Sequence, residues 1–335
     1  MRKFISLLMV TFVFFIFKSE AVCIISGKML FEQMERKNDI SEVVLEYNEY
    51  LHGKVRNLVR SAQIELVSKM IFIPNDINIS FYFLGSLARK TALVFSDLEF
   101  GIIVSEKTDS VREYINNFMQ IFYKKLKKEG IVMDENGWHP PFIKDSGWVG
   151  KTIFLATPDE FIKFIQKKKK PRIIGSLIQS CFFCGDKKLY DKCFQKELGI
   201  DFHKCVKEEF YQTKKYIETK LKKLIVKENN NKIKNIDFKY HITKPVEELI
   251  FYLAQYYQIS FEGSFDLIKK LESANYISKE QRKKLREALS YGIKKRLFYD
   301  DKDVIISKFS KTEFSCLQNH IIFIFSFLSF VESII

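Results

Sequence analysis

Long hydrophobic runs, internal repeats and negative charge are what this chain has little of. Its two most apolar stretches, Phe4–Phe17 and Ile321–Val331, fall short of the roughly 20 residues that a membrane-spanning helix needs. No segment repeats, which sets aside solenoid and array architectures. Acids are outnumbered, with 41 Asp and Glu against 55 Lys and Arg, for a net charge of +14. A basic balance fits nucleotides, nucleic acid or acidic surfaces as partners. An AT-rich coding sequence gives the same balance, so charge speaks to partners and not to fold. The cysteines number six. Cys181-x-x-Cys184 with Cys193, His203 and Cys205 invites a zinc reading, but the second group lacks compact ligand spacing. Buried free thiols on a helix are the plainer expectation.

What is there is a globular composition. The 335 residues are 47% apolar and include 33 Phe, enough for two domains with ordinary cores. Met1-Arg2-Lys3, the apolar run after it and Ser19-Glu20-Ala21 read as a signal peptide over residues 1–21 cleaved after Ala21. That implies a secreted or envelope-associated protein. A start at Met29 would instead leave a cytoplasmic one. The apolar termini also allow weak membrane association, with the C-terminal run either a packed helix or an interfacial segment.

Periodicity divides the rest. Residues 22–70 form an N-terminal helical segment, with Val44, Tyr47, Leu51, Val55, Leu58 and Val59 near a 3.6 period. Residues 71–165 alternate strands (77–84, 96–104, an extended piece at 131–133, 151–155) with helices at 86–93 and from Asp109 to about Lys128. Thr157-Pro158-Asp159-Glu160 is a helix start. The basic run Lys167–Arg172, ending in Pro171, marks a boundary. Residues 171–310 read as helical throughout, Leu177–Phe183 included, and 311–335 as an apolar tail. The expected fold is α+β, a small mixed-sheet core followed by an α-helical bundle.

The chemistry concentrates in Phe81–Val104, FYFLGSLARKTALVFSDLEFGIIV. An apolar run stops at Gly85-Ser86, where a strand turns into a helix and free backbone N–H groups favour phosphate. Further on, Asp97 and Glu99 stand two apart, on one face of a strand. Paired carboxylates set among Phe95, Leu98, Phe100 and Ile102 are costly unless a cation sits between them, and a divalent metal is the usual one. A phosphate cradle beside a metal clamp is the equipment for moving a nucleotidyl group.

The pattern Gly85-Ser86, Arg89, Ser96-Asp97-Leu98-Glu99 resembles the signature of the DNA polymerase beta-like nucleotidyltransferase superfamily, in particular the N-terminal domain of protein-PII uridylyltransferase. The later stretches PRIIGSLIQSCFFCGDKKLY and KPVEELIFYLAQYYQ are similar to the helix after that core, ending here in Gly185-Asp186, and to the helical substrate-binding half. The resemblance implies a metal-dependent transfer of NMP from an NTP to an acceptor (protein, RNA or small molecule). Gly85 and Ser86 would hold the triphosphate, and Asp97 and Glu99 would hold Mg²⁺ or Mn²⁺. Arg89 would reach phosphate or pair with Asp97 or Glu99. Asp134 is the candidate third acid, with Glu135 next, and His139 is a loop residue or a base. Two departures stand out. Gln179 and Cys181 occupy places where relatives carry an acid and an Arg. No His-Asp dipeptide or tandem regulatory module is seen, which argues against PII as the substrate. The alternatives are a catalytically inactive nucleotide- or RNA-binding module, or an exported effector modifying a host target.

Overall fold

Phe81–Leu84 and Phe100–Val104 are apolar at nearly every position instead of at alternate ones, a pattern that belongs to strands covered on both faces. A computed structural model describes residues 27–37, 39–133, 154–168, 180–194, 202–225, 235–260, 262–299 and 303–335. The sheet half contains α1 (Gly27–Arg36), α2 (Ile40–Ser68), β1 (Ile79–Phe83), the single turn α3 (Gly85–Ala88), β2 (Phe100–Val104) and α4 (Asp109–Lys128). It continues through β3 (Phe154–Ala156), α5 (Pro158–Lys168), β4 (Cys181–Gly185) and α6 (Lys187–Phe194). The helical half follows: α7 (Phe202–Ile225), β5 (Asn235–Ile236), α8 (Lys244–Tyr256), α9 (Ser264–Ser273), α10 (Lys279–Phe298), β6 (Val304–Ile305) and α11 (Lys311–Ile334). The protein is α+β, a small mixed sheet followed by a helical region.

The main sheet runs β3-β2-β1-β4. β1 pairs antiparallel with β2 and β4, and β2 pairs parallel with β3. Both central strands are buried along their whole length. One face packs on α2 and α4, where Phe81 meets Phe118 with ring centres 5.3 Å apart and Phe100 meets Phe122 edge-on at 5.6 Å. The other face carries Tyr82, whose ring is 6.1 Å from Tyr190 of α6. Tyr82 lies flat against Gly101 across the strand pair, where any side chain would overlap its ring.

Helix α2 serves both halves. Val43, Val44 and Tyr47 enter the core of the helical half, whereas Val55, Val59, Ala62 and Leu66 enter the core beneath the sheet. Capping boxes at Ser278/Gln281 and Ser310/Glu313 fix the starts of α10 and α11. The apolar tail is one continuous helix, long and apolar enough to cross a membrane by composition alone. Its stripe Leu317, Ile321, Ile324, Phe327, Leu328 and Val331 is buried in the bundle core.

The structure corrects several local expectations. Cys181–Gly185 is a strand beside β1, not the end of a helix, so the region after residue 171 is not helical throughout. An apolar run of this length is ambiguous by periodicity, and the open edge of β1 decides it. The helix at 86–93 shrinks to Gly85–Ala88, and β2 starts at Phe100. The segment before it stays extended, since Leu98 forms a parallel bridge with Met133. Residues 1–21, Asp134, Glu135, His139 and Gln179 lie outside the described residues.

Candidate functional site

β1 ends at Phe83, and the chain must then turn sharply. Leu84 stays extended and its N–H donates to the Glu99 carbonyl at 2.9 Å, so the strand pairing persists one step past β1. Gly85 then adopts φ +61°, a left-handed conformation that costs any residue with a Cβ. A second constraint acts on it. A methyl group on Gly85 would overlap the Glu99 carboxylate at Oε2, so that carboxylate rests against the bare Cα of the turn. The α3 turn follows, with Arg89 N–H donating to Gly85 O at 3.2 Å and Thr91 N–H to Ser86 O at 2.9 Å.

Alternation places the two acids together. Leu98, Phe100, Ile102 and Val104 all lie in the core beneath the sheet. Asp97 and Glu99 stand on either side of Leu98 in sequence, are half-buried, and therefore share the opposite face. Among the described residues Asp97 has no hydrogen-bond or ion-pair partner. Met133, bridged to Leu98, immediately precedes Asp134. The sequence-predicted Gly85 and Ser86 thus form one turn with the Glu99 carboxylate against it, and Asp97 lies on the face Glu99 occupies.

Arg89 has a partner in the helical half. Its Nε donates to Glu247 Oε2 at 2.9 Å, and Thr91 Oγ1 donates to Glu247 Oε1. Glu247, on α8 of the helical half, is 6% exposed and the Arg89 side chain 19%. Both carboxylate oxygens of a buried acid are thereby satisfied by the loop that follows the turn. Replacing Glu247 with Leu removes a carboxylate partner from a largely buried guanidinium. Breaking such a pair costs about 3–5 kcal/mol when fully buried. The remaining exposure of Arg89 reduces the expected loss to about 2–4 kcal/mol, read as a lowered urea midpoint. A change under about 0.5 kcal/mol would show that the pair contributes no more than a surface ion pair does.

Two polar residues of α2 clamp the same loop from behind. Asn48, fully buried, donates to Val44 O at 2.8 Å and Ala92 O at 3.1 Å, and accepts from Ala92 N–H at 3.0 Å. His52 contacts Leu87 O through Nε2 at 3.1 Å and sits edge-on to Phe83 with ring centres 4.7 Å apart. Burial pushes the His52 pKa down, the Leu87 contact opposing it. The neutral ring with the proton on Nε2 is therefore the form that holds α3. Sequence reading missed Asn48, His52 and Glu247. Asn48 and His52 carried a signal, as polar residues at steps of four from buried Val44 along α2.

His241 and His320 are also pushed down, first by burial. A base with a lowered folded-state pKa binds its proton more readily when unfolded. Its stability contribution is complete above the unfolded value, near 6.5, and is lost as pH falls through the lower folded value. Urea midpoints should therefore fall between about pH 7.5 and about pH 5.5. Constant midpoints over that window would contradict the burial of these rings.

Three of the described thiols are quiet. Burial pushes Cys181 up to about 11 and Cys184 and Cys193 up to about 12, so none of these three is a ready nucleophile at neutral pH. Asp186 caps α6 instead of ending a helix, accepting from Lys188 N–H at 2.8 Å and Leu189 N–H at 3.2 Å. Among the described residues no group of three His, Cys, Asp or Glu side chains could hold a metal.

Residues 27–139 match the family model described as "Putative nucleotidyltransferase DUF294". The match contains the Gly85 turn and both acids, and it supports nucleotidyl transfer with a nucleotide as substrate. A search of the curated proteins finds no match.

Proposed function

We propose that this protein is a metal-dependent nucleotidyltransferase that moves NMP from an NTP to an acceptor hydroxyl, with Gly85, Ser86, Asp97 and Glu99 at its centre. The observation carrying this reading is the contact between Gly85 and Glu99. A left-handed glycine at a strand-to-helix turn allows a phosphate to approach the backbone. The carboxylate resting against its Cα puts an acid where the triphosphate would lie.

The donor set fits a hard divalent cation: two half-buried carboxylates on one face, with no sulfur or imidazole between them. Two protein carboxylates plus substrate phosphate oxygens are the usual provision for magnesium. Asp97 and Glu99 would hold Mg²⁺ or Mn²⁺, with Asp134 as the proposed third acid. When bound, the ion supplies charge neutralisation on the phosphates and a lowered pKa for the attacking hydroxyl.

The chain's own groups would do the rest. Backbone N–H groups of the turn bind the β- and γ-phosphates, and the Ser86 hydroxyl donates to them. That grip leaves the α-phosphorus facing an acceptor in line with the departing pyrophosphate. The bond from acceptor oxygen to α-phosphorus forms, the α–β phosphoanhydride breaks, and the hydroxyl proton leaves to solvent or a nearby base. Arg89, whose Nε donates to Glu247, would help hold the loop that follows the turn. The likeness to the uridylyltransferase N-terminal domain belongs to the same proposal and leaves the base and acceptor to experiment.

Incubation with each α-labelled NTP, Mg²⁺ and a cell lysate tests the proposal. Label on one macromolecule or metabolite, absent without Mg²⁺, supports it; no labelled product with any of the four NTPs contradicts it. The signal peptide proposed for residues 1–21 is tested apart, by sequencing the N-terminus of the mature chain. A start at Val22 supports cleavage, and a start at Met1 or Met29 contradicts it.

A further inference from the structure

The C-terminal end of α2 wears apolar residues on its outside. Ile64 is 70% exposed, Val67 53%, Met70 77%, Phe72 55% and Ile73 40%. The helix has already spent its inward positions, since Val59, Ala62 and Leu66 fill the core beneath the sheet. Met70 ends the helix at φ +60°, and Ile71 N–H folds back to Leu66 O at 2.9 Å. That fold keeps Phe72 and Ile73 beside the last turn. Single exposed apolar residues are ordinary, but five within ten positions form a patch that calls for a partner.

Positive charge borders the patch. Arg60 is exposed one turn before Ile64, and Lys69 is exposed between Val67 and Met70. Lys125 of α4 reaches Glu65 at 3.0 Å, which brings the last turn of α4 alongside, with Lys124, Lys127 and Lys128 exposed. The neighbouring acids are largely taken: Glu65 by Lys125 and by Lys69 at 2.9 Å, and Glu129 by Lys54 at 3.0 Å. Asp76, exposed in the following turn, is a further acid near the patch.

Apolar side chains ringed by lysines match the boundary between acyl chains and anionic headgroups. Single-stranded RNA would call for stacked aromatic platforms, and this patch has one Phe. We infer that the end of α2 docks the protein reversibly on an anionic membrane surface, with Ile64, Val67, Met70, Phe72 and Ile73 entering the interface and the lysines meeting lipid phosphates. The C-terminal helix seats its apolar stripe in the bundle, so the inference places docking on α2.

Co-sedimentation of the full chain with phosphatidylcholine vesicles, with and without phosphatidylserine, tests this. The wild type should pellet with the anionic vesicles and lose binding at high salt. I64S/V67S and F72S/I73S should each weaken binding about tenfold or more, and K124E/K128E should abolish the preference for phosphatidylserine. I322S, a change at a 58% exposed residue of the C-terminal helix, should leave binding unchanged. All these sites are exposed, so thermal unfolding should match the wild type. Wild-type binding by the patch variants, no binding by the wild type, or loss only in I322S would overturn the inference. So would a dimer in solution that I64S/V67S dissolves, or capture of RNA in place of vesicles.

Discussion

Replacing Asp97 with Asn and Glu99 with Gln together should lower nucleotidyl transfer about a thousandfold or more while leaving the fold in place. The size follows from what two carboxylates on one face can do. They would concentrate a divalent charge where the triphosphate reacts, and such charge stabilisation is the largest single contribution in most sites of this kind. The amides keep the shape of both side chains, so Leu98 and Phe100 stay in the core beneath the sheet. Melting should shift by no more than about 4 °C. Mg²⁺ titrated in the presence of nucleotide should bind the wild type and fail to saturate the double variant. Full activity in the double variant would remove both acids from the mechanism, and equal Mg²⁺ binding would remove them as ligands.

Gly85→Ala should be nearly as damaging, by two routes at once. The left-handed turn costs an L-residue about 1–2 kcal/mol, because φ at Gly85 is +61°. The added methyl must also displace the Glu99 carboxylate it overlaps. A shift of about 1 Å in a positioning group can cost about a hundredfold in rate, and a hundredfold loss or more is expected here. Both nucleotide and Mg²⁺ binding should weaken. A role for Gly85 in phosphate approach alone would weaken NTP binding more than metal binding. An alanine variant with normal Mg²⁺ titration and impaired NTP binding would favour that simpler role. One with unaltered activity would contradict both.

Legibility in the sequence followed distance along the chain. The Gly85-Ser86 turn and the Asp97-x-Glu99 spacing are local, and the strand period carries them. The α+β organisation was legible for the same reason, since apolar runs and helical stripes are local patterns. Cys181–Gly185 was not, because CFFCG has no periodicity that separates strand from buried helix. Its state is set by pairing with β1, about a hundred residues earlier. The ties of Arg89 and Thr91 to Glu247 join positions 158 and 156 residues apart, and no pattern within either segment announces them. The C-terminal helix was ambiguous between packed and interfacial. Its stripe every three or four residues finds a buried seat against α7 and α8, which only the assembled bundle reveals.

The central claim is that the bond broken lies between the α- and β-phosphates. Parallel reactions with α-labelled and γ-labelled NTP, using the responding nucleotide, the acceptor and Mg²⁺, test it most directly. Nucleotidyl transfer puts α-label on the acceptor and releases γ-label as pyrophosphate, both lost in the Asp97→Asn, Glu99→Gln double variant. Transfer of the γ-label to the acceptor, or its release as orthophosphate with no α-label transferred, would contradict it.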